Sequence, residues 1–204
     1  MKVVKKLAQV DPEKCTGCGI CQGLCPVLAI HVVDRRAQVR EDQCLACALC
    51  EQRCPEYAIT MTSRQEPLTV GIDAKKFPHE KIEAICKAAG LHPRQVICYC
   101  HRIRAEEVAA AILEGATTPE EVSAKTGVRT GCGILCINSV LRLLRGAGLS
   151  LTRSPGFQWY GLSINLADIP EDVKERYDNF GCRIEDDARI MARIPSKGGD
   201  ADAY

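Results

Sequence analysis

The sequence predicts an α+β chain, in which a duplicated βαβ unit is followed by a small helical domain and an irregular C-terminal extension. Three observations carry this expectation. The first sixty residues repeat at an offset of 29. Start and stop signals for short helices crowd residues 96–150. The 204 residues hold fourteen cysteines but only nine Phe, Trp or Tyr, so several small units held by cysteine chemistry are expected in place of one large core. No stretch approaches the roughly eighteen uncharged apolar residues of a membrane span. Residues 1–10 carry Lys2, Lys5 and Lys6 with no apolar run behind them, and the pair Arg35 and Arg36 is internal, so no export signal is read. A cytoplasmic location is the expectation, and reduced thiols at regular spacing are then ligands rather than disulfides.

The net charge of +1 divides into nine basic against eight acidic residues over 1–70, eleven against eight over 71–150 and seven against ten over 151–204. The densest basic clusters, Lys75 with Lys76 and Arg142 with Arg145, read as solvated surface. No nucleic-acid partner is expected.

Within the repeat, Ala8-Gln9-Val10 returns as Ala37-Gln38-Val39. Cys15, Cys18, Cys21 and Cys25 return as Cys44, Cys47, Cys50 and Cys54, and Pro26, Ala29 and Ile30 return as Pro55, Ala58 and Ile59. Each unit reads as a short strand, a cysteine loop, a helical turn after the proline, and a second strand. The strand candidates span 8–10, 30–33, 37–39 and 59–62, each too short to stand alone. The halves therefore pair with each other about a pseudo-twofold axis. Three cysteines at steps of three strain a tetrahedral site around one ion, since zinc knuckles use two pairs on separate turns. They can wrap three corners of an iron–sulfur cube, with the fourth thiolate supplied by the other half. Zinc or unmetallated thiols are the alternative.

The run Cys-x2-Cys-x2-Cys-x3-Cys-Pro, present twice, resembles the bacterial two-cluster ferredoxin family over about residues 5–63. In that family the fourth cysteine of each motif ligates the other motif's cluster. The resemblance implies a two-cluster ferredoxin fold with one [4Fe-4S] cluster on Cys15, Cys18, Cys21 and Cys54. It implies a second on Cys44, Cys47, Cys50 and Cys25. Freely diffusing members tend to be markedly acidic, whereas this domain is nearly neutral. Charge governs encounter more than fold, so a fixed subunit is expected rather than a diffusing carrier.

Residues 63–79 read as a linker, with Pro67, Gly71 and Pro78, within a stretch 64–95 of linker and short helix. Over 80–89, Ile82, Ile85, Cys86 and Ala89 share one helical face that Gly90 ends. Cys86 on that face reads as a buried small hydrophobe. Val96, Ile97 and Cys98 lead to Tyr99 and Cys100. A helix over 105–113 follows, ended by Gly115. Thr118 caps the next, with Pro119 at its first position and Glu121 completing a capping box, and Gly127 ends it. Thr130-Gly131-Cys132-Gly133-Ile134-Leu135-Cys136 leads into a third helix over 137–145, with Val140, Leu141 and Leu144 inward.

Cys98-x-Cys100, thirty-one further residues, and Cys132-x3-Cys136 thus lie on loops beside a helical bundle. Over about residues 96–146 this resembles the bacterioferritin-associated-ferredoxin-like [2Fe-2S] domain, with its Cys-x-Cys, helical hairpin and Thr-Gly-Cys-Gly. The resemblance implies Cys98, Cys100, Cys132 and Cys136 as [2Fe-2S] ligands. The family usually closes with two residues between the last cysteines; here there are three, which places Cys136 about one helical turn from Cys132. Four thiolates and a helix N-terminus suit a diferric cluster, and a single Zn²⁺ also accepts four thiolates. His101 is a candidate substitute ligand, though a loop histidine is more often solvated.

The extension 151–204 holds Phe157, Trp159, Tyr160, Tyr177, Phe180 and Tyr204. A strand is expected over 162–166, a charged helix from Pro170, and disorder over 196–204. The segment caps the second domain or docks a partner, since aromatics anchor interfaces. Cys182 reads as an ordinary thiol.

No dinucleotide loop, P-loop, nucleophile elbow or His-Glu-x-x-His is present, so no catalytic site of its own is expected. The expected function is an iron–sulfur electron-transfer subunit carrying two [4Fe-4S] clusters and one [2Fe-2S] cluster. Its expected partners are flavin- or metal-containing oxidoreductase subunits in a stable hetero-oligomer. The alternative is a metal-handling or redox-sensing module with a labile four-cysteine site.

Overall fold

The computed structural model describes residues 1–151 and 171–178, together with 181, 183, 185, 186 and 189. The chain divides into two units, Met1–Leu162 and Ser163–Tyr204. The architecture is mixed α+β.

The first unit opens with β1 (Lys2–Val10), α1 (Ile20–Leu24), β2 (Ile30–Val33), β3 (Arg36–Val39), α2 (Leu49–Arg53) and β4 (Ile59–Val70). β1 pairs with β4 and β2 with β3, both antiparallel. Val4, Ala8, Ile30, Ala37, Ile59 and Val70 turn inward from the two ribbons, and with Val27, Leu45 and Ala58 they form the first core. Two sequence expectations are corrected. The helical turns precede the prolines instead of following them, because a proline disfavours the helical conformation in the residue before it. Cys25 and Cys54 are accordingly extended, each with ψ 114°, and end α1 and α2. The stretch 63–79 is also not all linker. β4 continues to Val70 because Leu68, Thr69 and Val70 pair with Val4, Val3 and Lys2. The register shifts between Val4 and Lys6, and Pro67, which has no N–H to give a ladder, falls in that interruption.

A 3-10 turn (Ala74–Lys76) leads to α3 (His79–Ala88), then β5 (Val96–Cys98) paired with β6 (Ile103–Arg104), α4 (Ala105–Leu113), α5 (Pro119–Thr126) and α6 (Ile137–Gly146). Their signals act as the sequence predicts. Thr118 Oγ1 accepts from Glu121 N–H at 3.2 Å, while Glu121 Oε2 accepts from Thr117 N–H at 2.7 Å. Gly127 takes the left-handed φ of 78° that stops α5. Val108, Ala109, Val122, Val140, Leu143 and Leu144 build the second core, and Cys86 is fully buried within it. Ala124 of α5 packs against the first core, so the two cores abut at α5 and β4.

In the second unit, α7 (Glu171–Asp178) forms where the charged helix is expected, and Lys174 pairs with Glu171 at 2.6 Å. The strand over 162–166, Cys182, the polar end 196–204 and all the tail aromatics except Tyr177 lie outside the described residues. Among the described residues no helix is long and apolar enough to cross a membrane.

Candidate metal centres

The two cysteine loops of the first core are built alike. Gly17 and Gly19 in one, and Ala46 and Ala48 in the other, have φ of 71°, 80°, 52° and 61°. This left-handed form helps turn backbone N–H groups into an anion-receiving concavity. Glycine is required at position 17, where a Cβ would stand 2.5 Å from the carbonyl oxygen of Arg35. Alanine amides reach sulfur in both halves of the repeat. Ala37 N–H donates to Cys15 Sγ and Ala8 N–H to Cys44 Sγ, both at 3.4 Å. Ala29 N–H donates to Cys25 Sγ at 3.2 Å and Ala58 N–H to Cys54 Sγ at 3.3 Å.

The eight cysteines of these loops fall into two groups. Cys15, Cys18, Cys21 and Cys54 line one enclosure with Val32, Ala37 and Ile59. In the other, Cys47, Cys25 and Cys44 all lie within electrostatic range of Cys50. Burial, reinforced by the neighbouring sulfurs, pushes Cys47 up to about 11 and Cys50 up to about 12. Burial also raises Cys21 and Cys25. Thiols crowded away from water hold their protons until a positive charge displaces them.

Cys98, Cys100, Cys132 and Cys136 meet between the β5–β6 turn and the start of α6. Cys98 and Cys136 are buried, while Cys100 and Cys132 are exposed. The Cys136 thiol donates to Cys98 Sγ, and backbone N–H groups of His101 and Arg129 reach the same sulfur. Cys98 is held down at about 5 by that donation, and Cys136 is pushed well up. Cys132 N–H donates to Cys100 Sγ at 3.4 Å, and the N–H groups of Ile134 and Leu135 hold Cys132 below the ordinary thiol value. Only glycine fits at position 131, where a Cβ would stand 2.5 Å from Cys100 Cβ. The additional residue between Cys132 and Cys136 is absorbed outward, leaving Ile134 and Leu135 exposed while Cys136 turns in at the head of α6. His101 Nε2 lies 3.1 Å from Thr130 Oγ1 and 3.5 Å from Lys2 Nζ. Among the described residues no three His, Cys, Asp or Glu side chains have the spacing that would hold a single metal ion.

The family model of the 4Fe-4S dicluster domain matches residues 8–61, and that of the BFD-like [2Fe-2S] binding domain matches residues 96–145. The chain joins a dicluster domain to a BFD-like domain. No curated protein and no solved structure matches it. Domains of these two kinds bind iron–sulfur clusters, whose chemistry is electron transfer.

Sequence reasoning missed the residues that support the sulfurs. The four alanines whose amides reach sulfur all recur in the 29-residue repeat, so the signal was present as alanines retained beside cysteines. Lys2 and Arg129 carried no such signal. Lys2, at the start of the dicluster domain, donates from Nζ to Thr130 Oγ1 in the BFD-like domain at 3.3 Å. Arg129, with φ 69°, pairs with Glu120 at 3.3 Å, and both side chains are buried.

Proposed function

We propose that the chain is an iron–sulfur electron-transfer subunit, relaying electrons between a partner dehydrogenase and an acceptor through two [4Fe-4S] clusters and one [2Fe-2S] cluster. The ligand sets are Cys15, Cys18, Cys21 and Cys54; Cys44, Cys47, Cys50 and Cys25; and Cys98, Cys100, Cys132 and Cys136. When bound, each cluster accepts and releases single electrons at a potential set by its surroundings. This chain's residues hold the sulfurs and donate amides to them.

The observation that carries this reading is the fit of the donor sets. Four amide-to-sulfur hydrogen bonds recur in pairs at the repeat offset around the eight dicluster cysteines. Hydrogen bonds to sulfur stabilise the added negative charge of a reduced cluster and so tune its potential. The same recurrence supports a duplicated βαβ unit with a pseudo-twofold axis. Near-neutral charge over residues 1–70 favours a fixed place in a hetero-oligomer with a flavin- or metal-containing oxidoreductase, in a reducing compartment such as the cytoplasm. Residues 151–204 are the proposed docking segment.

Anaerobic iron and sulfide quantitation with EPR of the reduced chain tests the proposal. About ten irons, with both cubane and [2Fe-2S] signals, are expected. About eight irons with one zinc would overturn the three-cluster form. That result would favour the second reading, a metal-handling or redox-sensing module, which the exposure of Cys100 and Cys132 supports.

A further inference from the structure

Of the two dicluster cysteine sets, one adjoins the BFD-like site, and cations mark the junction. Lys2 begins β1, yet its ammonium lies 3.3 Å from Thr130 Oγ1 and 3.5 Å from His101 Nε2. Both belong to the loops that carry Cys100 and Cys132. Its Cδ would also be 3.8 Å from a Cβ at Gly127, so the alkyl stem follows the end of α5. The half-buried ammonium has Cys47 of the dicluster domain and Cys98 of the BFD-like domain within electrostatic range. Arg129 repeats the pattern from the opposite domain. Its guanidinium has Cys25 and Cys136 within range, besides the buried Glu120. Cys47 and Cys25 belong to one set, and the sulfurs in range of Lys2 include none of the set Cys15, Cys18, Cys21 and Cys54. The abutting cores and the approach of Leu49, between Cys47 and Cys50, to within 3.5 Å of a Cβ at Gly133 place the same two loops together.

We infer that Lys2 and Arg129 are positioning residues that hold two fixed positive charges between the set Cys44, Cys47, Cys50 and Cys25 and the set Cys98, Cys100, Cys132 and Cys136. They make these two centres the exchanging neighbours and leave the Cys15 set as the remote end of the relay. This rests on the three-cluster reading proposed above. An electron handed across the junction oxidises one centre by one electron and reduces the other by one; no bond forms or breaks. A cation beside a centre favours its more negative, reduced form and raises its midpoint potential, and it does so most where water is excluded. Arg129 is the poorer residue to remove, since its loss strands the buried Glu120 and threatens folding. Lys2 is the one to test.

The experiment is an EPR-monitored redox titration of the full chain with its clusters, comparing wild type with Lys2→Met, Lys2→Arg and, as a charge control, exposed Lys81→Met of α3. In Lys2→Met the midpoint of the [2Fe-2S] centre and of one [4Fe-4S] centre should fall, while the other [4Fe-4S] centre stays in place. Lys2→Arg should restore both, and Lys81→Met should move none. Unmoved midpoints in Lys2→Met, or a uniform shift of all three that Lys81→Met reproduces, would overturn the inference and leave the three-cluster reading standing. A wild-type chain without the [2Fe-2S] signal would overturn that reading, and the inference with it.

Discussion

The left-handed positions of the cysteine loops separate two costs of adding a side chain. At Gly19 a Cβ meets nothing within 4 Å, so Gly19→Ala carries only the conformational penalty of roughly 1–2 kcal/mol. Ala48 already bears it at the equivalent place, with φ 61°. At Gly17 a Cβ meets the Arg35 backbone at 2.5 Å, and backbone cannot swing aside. Gly17→Ala should therefore lower the denaturation midpoint of the cluster-loaded chain further than Gly19→Ala, read from loss of visible absorbance; equal losses would show that the Arg35 turn yields. The thiols separate in the same way. In the metal-free folded chain, Cys132 is exposed and held below the ordinary thiol value, whereas burial holds Cys86 up at about 11. A lowered value means thiolate persists as pH falls, and the thiolate is the nucleophile. Iodoacetamide near neutral pH should label Cys132 early and Cys86 only on unfolding, as peptide mass spectrometry would show. The residue scale was legible in the sequence where a residue type has one use: the prolines, the capping Thr118 and the regular cysteines. At Ala8, Ala29, Ala37 and Ala58 the repeat marked the positions but not their role, because an amide that donates to sulfur belongs to the backbone and leaves no mark on the side chain.

At the scale of elements, α3 and α6 meet at Gly146, the last residue of α6. A Cβ there would stand 2.8 Å from the carbonyl oxygen of Ile85 and 3.0 Å from the amide nitrogen of Ala89. Alanine improves helix propensity over glycine by about 1 kcal/mol, while overpacking costs about 1–3 kcal/mol. Gly146→Ala should thus be neutral to destabilising, by up to about 2 kcal/mol in chemical denaturation. A gain in stability would mean that the crossing has room. The helices α3 to α6 were readable because caps, stops and apolar spacing act within a few residues. The far end of β4 was not, since Leu68, Thr69 and Val70 become strand by pairing with Lys2, Val3 and Val4, and Pro67 read locally as linker. The helical turns were misplaced by a few residues because proline marks where such a turn stops, not where it begins.

At the scale of the whole molecule, all twelve proposed ligand cysteines belong to the unit Met1–Leu162. Truncation after Ser150, which removes the whole proposed docking segment, should leave the EPR spectra and iron content of the purified chain unchanged. It should also abolish co-purification of a partner if the tail docks one, and retained co-purification would assign docking elsewhere. The sequence by itself determined the two families of cluster-binding domain and the spacing of the twelve proposed ligand cysteines, because ligand chemistry is written in residue type and interval. It also determined most of the helices, whose signals are local. Only the tertiary structure decided which dicluster set faces the BFD-like site. Lys2 and Thr130 stand 128 residues apart, and their meeting follows from the pairing of β1 with β4 and the packing of α5 on that ribbon. No local pattern encodes such a meeting; it arises when two cores bury their edges against each other.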